Sequence, residues 1–332
     1  MVPGNVFTAR LRQFGAALTA ACALLAGARA QADWPEKPVR IIVPYPAGSS
    51  PDTLARAIAG PLSDALAQPV IVDNKPGAGG NIGTRSLAHA KPDGHTLLYT
   101  INGPLVTAPT LYPRTLGYDP GADLAPISLI GTSPNVLVVA KNLNIKSVEE
   151  LVDLARRRPG AMNYGSVGPG SSAHLAMEMF KHDAGIDLLQ VPYSGFPQVI
   201  TAILAGDVQA GFMVPAIAMP QVRDGRARAL AVTSLQADPA LPGVPPMSEA
   251  GYKDFESISW NAMLAPAGTP TPVIERLNRE LARILERPQV REQFAQQFFT
   301  ARSSTPEALA HRIRDEKARW DAVITRLGLS LD

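Results

Sequence analysis

Residues 39–52 read Val-Arg-Ile-Ile-Val-Pro-Tyr-Pro-Ala-Gly-Ser-Ser-Pro-Asp. The β-branched run at 39–43 predicts a buried strand, and the Gly/Ser turn at 46–52 leads into a helix predicted over 53–66. Asp52 stands where the N-cap of that helix is expected. A strand, a tight turn and a helix in succession indicate an α/β fold.

Two further turns have the same character. The turn at 76–81 reads Pro-Gly-Ala-Gly-Gly-Asn, and the turn at 165–172 reads Gly-Ser-Val-Gly-Pro-Gly-Ser-Ser. Each follows a short apolar run and precedes a helical pattern, so its backbone N–H groups and hydroxyls point at one spot, which suits a carboxylate or phosphate. Because two turns lie in the first third of the chain and one near its middle, we expect a ligand held between two lobes.

The fold predicted from these units is α/β, with two lobes that each contain a mostly parallel sheet flanked by helices. A Pro- and Gly-rich stretch at 103–126 is interpreted as irregular, and the extended segment after it is expected to cross into the second lobe. The predicted lobe limits are 33–133 with about 255–332 for the first lobe, and about 134–254 for the second. The two crossings, near 131–135 and 236–262, are the expected hinge.

The first 32 residues have the pattern of a cleavable secretory signal peptide. Arg10 and Arg12 precede an apolar stretch at 14–27, and two A-x-A cleavage motifs follow. We therefore expect export to the periplasm. A transmembrane anchor is the weaker alternative, because the apolar stretch is short for a bilayer. A lipid anchor on Cys22 is disfavoured, because no large aliphatic residue stands three positions before it.

Charge and cysteine content narrow the function further. Without the three arginines of the predicted signal, 28 of the 31 basic residues remain against 29 acidic ones, a net charge of −1. This balance argues against a nucleic-acid or anionic-membrane partner. Cys22 is the single cysteine of the chain, so the mature protein is expected to lack disulfides. No P-loop, nucleophile elbow or histidine metal pair is present, and we expect a binding protein without a cofactor rather than an enzyme.

The third turn has competing interpretations. Residues 168–173 fit G-x-G-x-x-A, a dinucleotide fingerprint, but the strand after the helix ends in Tyr193 and Ser194 where an acid is required. A small anionic ligand is therefore favoured over a dinucleotide, and a turn shaped only for chain reversal stays open. His174 either donates to a ligand or simply packs. An exported enzyme that uses His174 and a nearby serine is the less favoured alternative.

Six short sequence motifs, some of them within the three turns, are spread over nearly the whole predicted mature chain. They are Val43–Gly48 with Asp52, Asn74–Gly83, Lys91–Leu98, Tyr164–Gly168 with Ser171–Leu175, Val191–Tyr193 with Gly195, and Ala265–Pro270. In this order they resemble the signatures of the Bug (TctC-like) receptors, the periplasmic solute-binding proteins of tripartite tricarboxylate transporters. The resemblance implies a two-lobed periplasmic-binding-protein fold that binds small carboxylates, including amino acids and di- or tricarboxylates. The implied partners are the membrane permease subunits of such a transporter, with the receptor as a monomer; a receptor that docks on a membrane sensor stays open.

The expected ligand-binding residues come from two sources. The resemblance implies Gly48, Ser49, Ser50, Asp52, Ser166, Gly168, Ser171, Ser172 and His174. The turns and strand ends add Gly79, Asn81, Thr100, Asn102, Gly170, Tyr193 and Met213. Asp52 is expected to shape its turn, because a carboxylate there repels an anion; a ligand with an amine reverses that argument. The family usually has Gly where this chain has Ser49, which restricts φ and adds a hydroxyl.

Overall fold

A computed structural model of the chain describes residues 34–168, 171–193 and 195–332. The predicted signal peptide and Gly170 of the predicted site lie outside the described residues. All of the strands and helices named below belong to one unit, Pro38–Asp332.

The described strands and helices alternate along much of the chain. The strands are β1 (Val39–Val43), β2 (Val70–Asn74), β3 (Thr96–Ile101), β4 (Leu124–Pro134), β5 (Val136–Ala140), β6 (Asn163–Ser166), β7 (Leu189–Pro192), β8 (Ala210–Met213), β9 (Ala227–Val232), β10 (Ile258–Pro266) and β11 (Thr300–Ala301). The α-helices are α1 (Ser50–Leu66), α2 (Asn81–Ala88), α3 (Gly103–Val106), α4 (Ala108–Leu111), α5 (Pro120–Asp123), α6 (Val148–Arg157), α7 (Ser172–Ala184), α8 (Phe196–Ala205), α9 (Pro215–Arg223), α10 (Thr271–Leu285), α11 (Pro288–Gln296) and α12 (Pro306–Arg326). Short 3₁₀ helices cover Ala78–Gly80, Lys141–Leu143 and Met247–Ala250.

The strands form two sheets. The first has the order β11-β4-β10-β3-β1-β2, and the second has the order β7-β6-β8-β5-β9. Within the first sheet β1 runs parallel to β2 and β3, whereas β10 runs antiparallel to β3 and β4. Within the second, β6 runs parallel to β7 and β8, whereas β5 runs antiparallel to β8 and β9.

The expectation of two α/β sheets flanked by helices is confirmed, but each sheet is mixed rather than mostly parallel. The strands next to the crossings account for this difference. The chain reaches these strands from the other sheet and not through a helix packed on the same sheet. The rule that such a helical connection makes consecutive strands parallel therefore does not apply to them. The chain passes from the first sheet to the second at Asn135, and it returns to the first sheet between Val232 and Ile258. The exact lobe limits stay a prediction.

A buried polar cluster joins the two crossings. Asn135 donates from its backbone N–H to Thr233 Oγ1 at 2.8 Å and from Nδ2 to the Ser257 carbonyl at 2.9 Å. Thr233 Oγ1 also donates to the Ser257 carbonyl at 2.8 Å, and all three residues are buried. Because buried polar groups are costly to leave unpaired, this cluster holds the crossing strands in one register.

Helix α1 begins three residues earlier than predicted. It starts at Ser50 with Ser49 as its N-cap residue, so the prediction of Asp52 as N-cap is wrong. Pro51 explains the earlier start, because proline is favoured in the first helical turn, where its missing N–H costs nothing. The helix packs through one apolar face, since Leu54, Ile58 and Leu62 are all buried.

The remaining helices follow local capping and proline chemistry. Helix α7 spans Ser172–Ala184, and Ser147 caps α6 by accepting from the Glu150 N–H at 3.3 Å. The stretch 103–126, expected to be irregular, contains the short helices α3, α4 and α5. Pro104, Pro109 and Pro120 stand in the first turns of those helices, where proline is tolerated. Among the described residues, no helix is both long and apolar enough to span a bilayer.

Candidate functional site

A cavity of about 410 Å³ lies between the two sheets, where β1, β3 and β6 end. Cavities of this size accommodate small-molecule ligands. On the side of the first sheet and the crossing it is lined by Tyr45, Ala78, Gly79, Asn81, Ile101, Asn102, Gly103, Pro104, Thr107, Ala108, Leu111, Tyr112, Ser257, Ile258, Ser259, Trp320 and Leu331. On the side of the second sheet it is lined by Val167, Ser171, Ser172, Leu175 and Phe196.

The second turn reaches the cavity directly. Gly79 and Asn81 line it, and Asn81 is the first residue of α2. Gly80 lies between them with φ of 103°, and a Cβ added there would meet Tyr45 Oη at 2.5 Å. The turn therefore needs glycine both for its backbone angle and for the close approach of Tyr45.

Tyr45 connects this turn to β3. Its Oη lies 3.4 Å from Thr100 Oγ1, and Thr100 is fully buried behind the cavity wall. Burial raises the pKa of Tyr45, so its hydroxyl keeps its proton and is able to donate a hydrogen bond. Tyr45 thus places a neutral hydrogen-bonding group on the cavity wall.

The third turn forms the start of α7. Ser171 Oγ accepts from the His174 N–H at 3.3 Å and donates to the Gly168 carbonyl at 2.7 Å. Ser172, the first residue of the helix, faces the cavity together with Ser171. Because the first N–H groups of a helix lack intrahelical partners and carry the positive end of its dipole, this wall favours an anion.

The first turn is fixed by hydrogen bonds to the Asp52 carboxylate, and its residues 46–52 do not line the cavity. Its carboxylate accepts from the Gly48 N–H at 2.8 Å, from Arg56 Nε at 3.0 Å and from Asn74 Nδ2 at 2.9 Å. Burial alone would raise the pKa of Asp52, but the hydrogen bonds from Arg56, Gly48 and Asn74 outweigh it and hold the pKa below its ordinary value. Asn74 Nδ2 also donates to the Tyr45 carbonyl at 3.0 Å, so the network supports the cavity wall from behind.

Ser49 fits its position without strain. Its φ of −69° and ψ of 160° are extended values open to any residue. Its Oγ donates to the Pro46 carbonyl at 2.6 Å, which closes the turn, and Ser49 is not among the lining residues. A serine at position 49 is therefore compatible with the backbone geometry of the turn.

We expect Ser49→Gly to leave ligand affinity within about twofold of the parent chain. The hydroxyl bonds within its own turn, and a Ser-to-Gly change at an N-cap costs less than about 1 kcal/mol. Titration calorimetry with any ligand that the parent binds measures the affinity, and urea unfolding measures the change in stability. A tenfold loss of affinity with unchanged unfolding would instead show that the hydroxyl contacts the ligand.

The predicted site residues fall into three groups. The cavity is lined by Gly79, Asn81, Asn102, Ser171 and Ser172. The other described members are not among the lining residues, and their role as ligand contacts stays a prediction: Gly48, Ser49, Ser50, Asp52, Thr100, Ser166, Gly168, His174, Tyr193 and Met213. Gly170 belongs to the part of the chain that is not described.

Two of the residues behind the wall have defined partners. Ser166 is fully buried, and its Oγ accepts from Gln190 Nε2 at 2.8 Å and from the Gly168 N–H at 3.2 Å. His174 is buried on α7, and this burial lowers its pKa, so the ring is neutral near pH 7. The Ser166 hydroxyl thus stabilises the third turn, and His174 does so through its backbone N–H, which donates to Ser171 Oγ.

Sequence reasoning missed much of the cavity wall. Tyr45 lies inside a quoted motif and Phe196 directly follows Gly195, so both carried a positional signal. Trp320 and Leu331 carried none, because an apolar residue on the C-terminal helix or tail is interpreted as core. Ser257 and Ser259 belong to the second crossing, whose closeness to the turns depends on the tertiary fold.

The lining has no charged side chain among the described residues. Its polar groups are hydroxyls, amides and backbone N–H groups. Nor do His, Cys, Asp and Glu cluster as metal ligands in the described ranges. A ligand charge would therefore be met by dipoles, as at helix N-termini, rather than by an ion pair.

Known protein families include one that this chain matches over most of its length. Residues 54–329 match TctC, the tripartite tricarboxylate transporter family receptor. The chain belongs to the TctC family. BugT of Bordetella pertussis is 37% identical to this TctC-family chain over 299 residues, covering 90% of the chain and 91% of BugT. The resemblance read from the sequence motifs is thereby confirmed.

Solved structures agree with the family assignment. Rpa4515 of R. palustris, determined with adipate, is 34% identical with a TM-score of 0.77, covering 90% of this chain and all of that one. The periplasmic binding protein BugD is 32% identical with a TM-score of 0.73 and the same coverage. The two-lobed fold expected of a TctC-family receptor is confirmed, and the family consists of solute-binding receptors.

Proposed function

We propose that this chain is exported to the periplasm, captures a small carboxylate in the cavity and delivers it, as a monomer, to the membrane subunits of a tripartite transporter. The observation that carries the proposal is the position of two helix starts. Asn81 at the start of α2 and Ser172 at the start of α7 line one cavity from opposite sheets. The family assignment and the adipate in the Rpa4515 structure support the same ligand class.

The cavity offers a carboxylate hydrogen bonds in place of water. Helix N–H groups and hydroxyls such as those of Tyr45 and Ser172 donate to anionic oxygens, and such charge-assisted bonds are stronger than neutral ones. Because the donors come from both sheets, their full number is available only when the lobes are closed. Closure around the ligand, with the Asn135 cluster at the hinge, would distinguish a loaded receptor from an empty one.

The test places a negative charge at the start of α7. We expect Ser172→Asp to reduce carboxylate affinity at least about tenfold, because like charges repel in the cavity, while the acid favours the helix dipole and keeps the fold intact. The measurement is calorimetric titration of the purified mature protein with adipate, malate and citrate, beside thermal unfolding.

Ser172→Asn is the matched control, since it has nearly the same shape as the aspartate and no charge. It should retain carboxylate binding within about threefold, as expected for a neutral polar exchange. NAD(H) should shift the melting temperature of neither the parent nor the variants. Binding of NAD(H) without binding of any carboxylate, or equal carboxylate affinity in Ser172→Asp and the parent, would refute the proposed function.

A further inference from the structure

One part of the cavity wall is apolar over a large area. It is formed by Leu111, Leu175, Phe196, Ile258, Trp320 and Leu331. These residues come from strand β10, from helices α4, α7, α8 and α12, and from the C-terminal segment after α12. We call this set the apolar wall. Its apolar side chains have no donors for a carboxylate, so the apolar wall would contact the part of the ligand that carries no charge.

Polar and apolar lining residues are ordered along α7. Ser171 and Ser172 mark its start, and Leu175 follows one turn later on the same face. With a rise of about 1.5 Å per residue, Leu175 lies about 5 Å farther along the axis than the helix start. A carboxylate at the start of α7 therefore has its next few atoms beside a leucine.

The first lobe has the same order. Asn102 precedes α3, Thr107 links α3 to α4, and Leu111 ends α4. Within ten residues of chain, the lining side chains Asn102, Thr107 and Leu111 thus change from an amide to a hydroxyl to an isobutyl group. Two independent segments present their polar end and then an apolar side chain to one cavity.

The C-terminal segment is fixed where it contributes to the apolar wall. The Leu331 N–H donates to the Leu111 carbonyl at 2.7 Å, and the Asp332 carboxylate accepts from the Arg114 N–H at 2.8 Å. Trp320 is buried on α12, and α12 packs against α3, α4 and α7. The apolar wall is therefore a built surface of the cavity.

A second carboxylate on the ligand would be poorly accommodated here. It would lose its hydration beside leucine and tryptophan side chains, and no cationic side chain lines the described part of the cavity. A methyl or aryl group in the same place gains from burial, by about fourfold in affinity for each methylene.

We propose that the preferred ligand is a monocarboxylate with an apolar aliphatic or aromatic body, in preference to a dicarboxylate of equal length. This inference rests on the proposed function, because it assumes that the carboxyl group binds at the helix starts. Ser171 and Ser172 then orient the acid, and the apolar wall selects the body that follows it.

The decisive comparison is hexanoate against adipate, which differ only in a terminal methyl or carboxylate. Calorimetric titration of the mature protein should give hexanoate at least about tenfold tighter binding, with about fourfold gains from butyrate to pentanoate to hexanoate. Benzoate should bind as well. Adipate binding as tightly as hexanoate would overturn the inference and leave the proposed function standing. Failure of every carboxylate would overturn both.

A variant of the apolar wall tests the same point from the protein side. Leu331→Arg places a cation on the wall through a half-buried tail residue. It should weaken hexanoate at least about tenfold and strengthen adipate, since a second carboxylate then has a partner. Leu331→Met, which keeps size and polarity, should retain the parent preference. An unchanged ratio of the two affinities in Leu331→Arg would show that the wall does not contact the ligand.

Discussion

Gly80→Ala should lower carboxylate affinity at least about tenfold while the two sheets stay folded. Gly80 has φ of 103°, and an added Cβ would lie 2.5 Å from Tyr45 Oη and 3.0 Å from Pro104 Cγ. A left-handed backbone costs a non-glycine residue about 1–3 kcal/mol, and the clash displaces Tyr45 from Thr100. Both Tyr45 and Pro104 line the cavity, so its shape changes as well. Calorimetric titration with adipate or hexanoate measures the loss.

Two other glycines, Gly79 beside it and Gly60 in α1, provide controls. Gly79 has φ of 65° but open space around an added Cβ, so Gly79→Ala tests backbone strain without the clash. It should have a smaller effect on affinity than Gly80→Ala. Gly60 is exposed in α1, far from the cavity lining, and Gly60→Ala should leave binding unaltered. Parent-like affinity in Gly80→Ala would refute the role given to the Gly80–Tyr45 approach.

The second and third turns were predictable because their chemistry is local. A short apolar run, closely spaced glycines and a capping serine define a strand, a turn and a helix start within about ten residues. In the structure Ser171 caps α7, and Asn81 begins α2. Parallel strands place such turns at one sheet edge, so the meeting of the two turns at one cavity followed from the α/β pattern.

The apolar wall was not predictable from the same reasoning. Trp320 and Leu331 lie far along the chain from the turns, and hydrophobic periodicity does not separate a cavity wall from a core. The antiparallel pairing of β10 with β3 and β4 likewise depends on which sheet the returning strand joins. The preference of the site for one carboxylate over another is decided by such long-range contacts.

Asp52→Asn should destabilise the protein by about 2–3 kcal/mol at pH 7, because hydrogen bonds to a charged group are worth more than neutral ones. Asp52 is buried, and its two oxygens accept from Gly48, Arg56 and Asn74. An asparagine side chain has one acceptor oxygen, and its NH₂ group would face donors. Urea unfolding measures the change. Asp64→Asn, an exposed change in the same helix, is the control and should stay within about 0.5 kcal/mol.

The difference between the parent and Asp52→Asn should depend on pH in a defined direction. The folded pKa of Asp52 is lowered, so the stability it provides is complete above the unfolded pKa of about 3.9 and is lost as pH falls through the folded pKa. The difference in unfolding free energy between the parent and Asp52→Asn should therefore have its full size at pH 7 and pH 5. It should shrink as the pH falls below about 4. A gap that stayed constant down to pH 3 would mean that the charge of Asp52 does not contribute. A loss of ligand affinity alongside the stability loss would show that the network holds Tyr45, through the Asn74 bond to the Tyr45 carbonyl, in the position that the cavity requires.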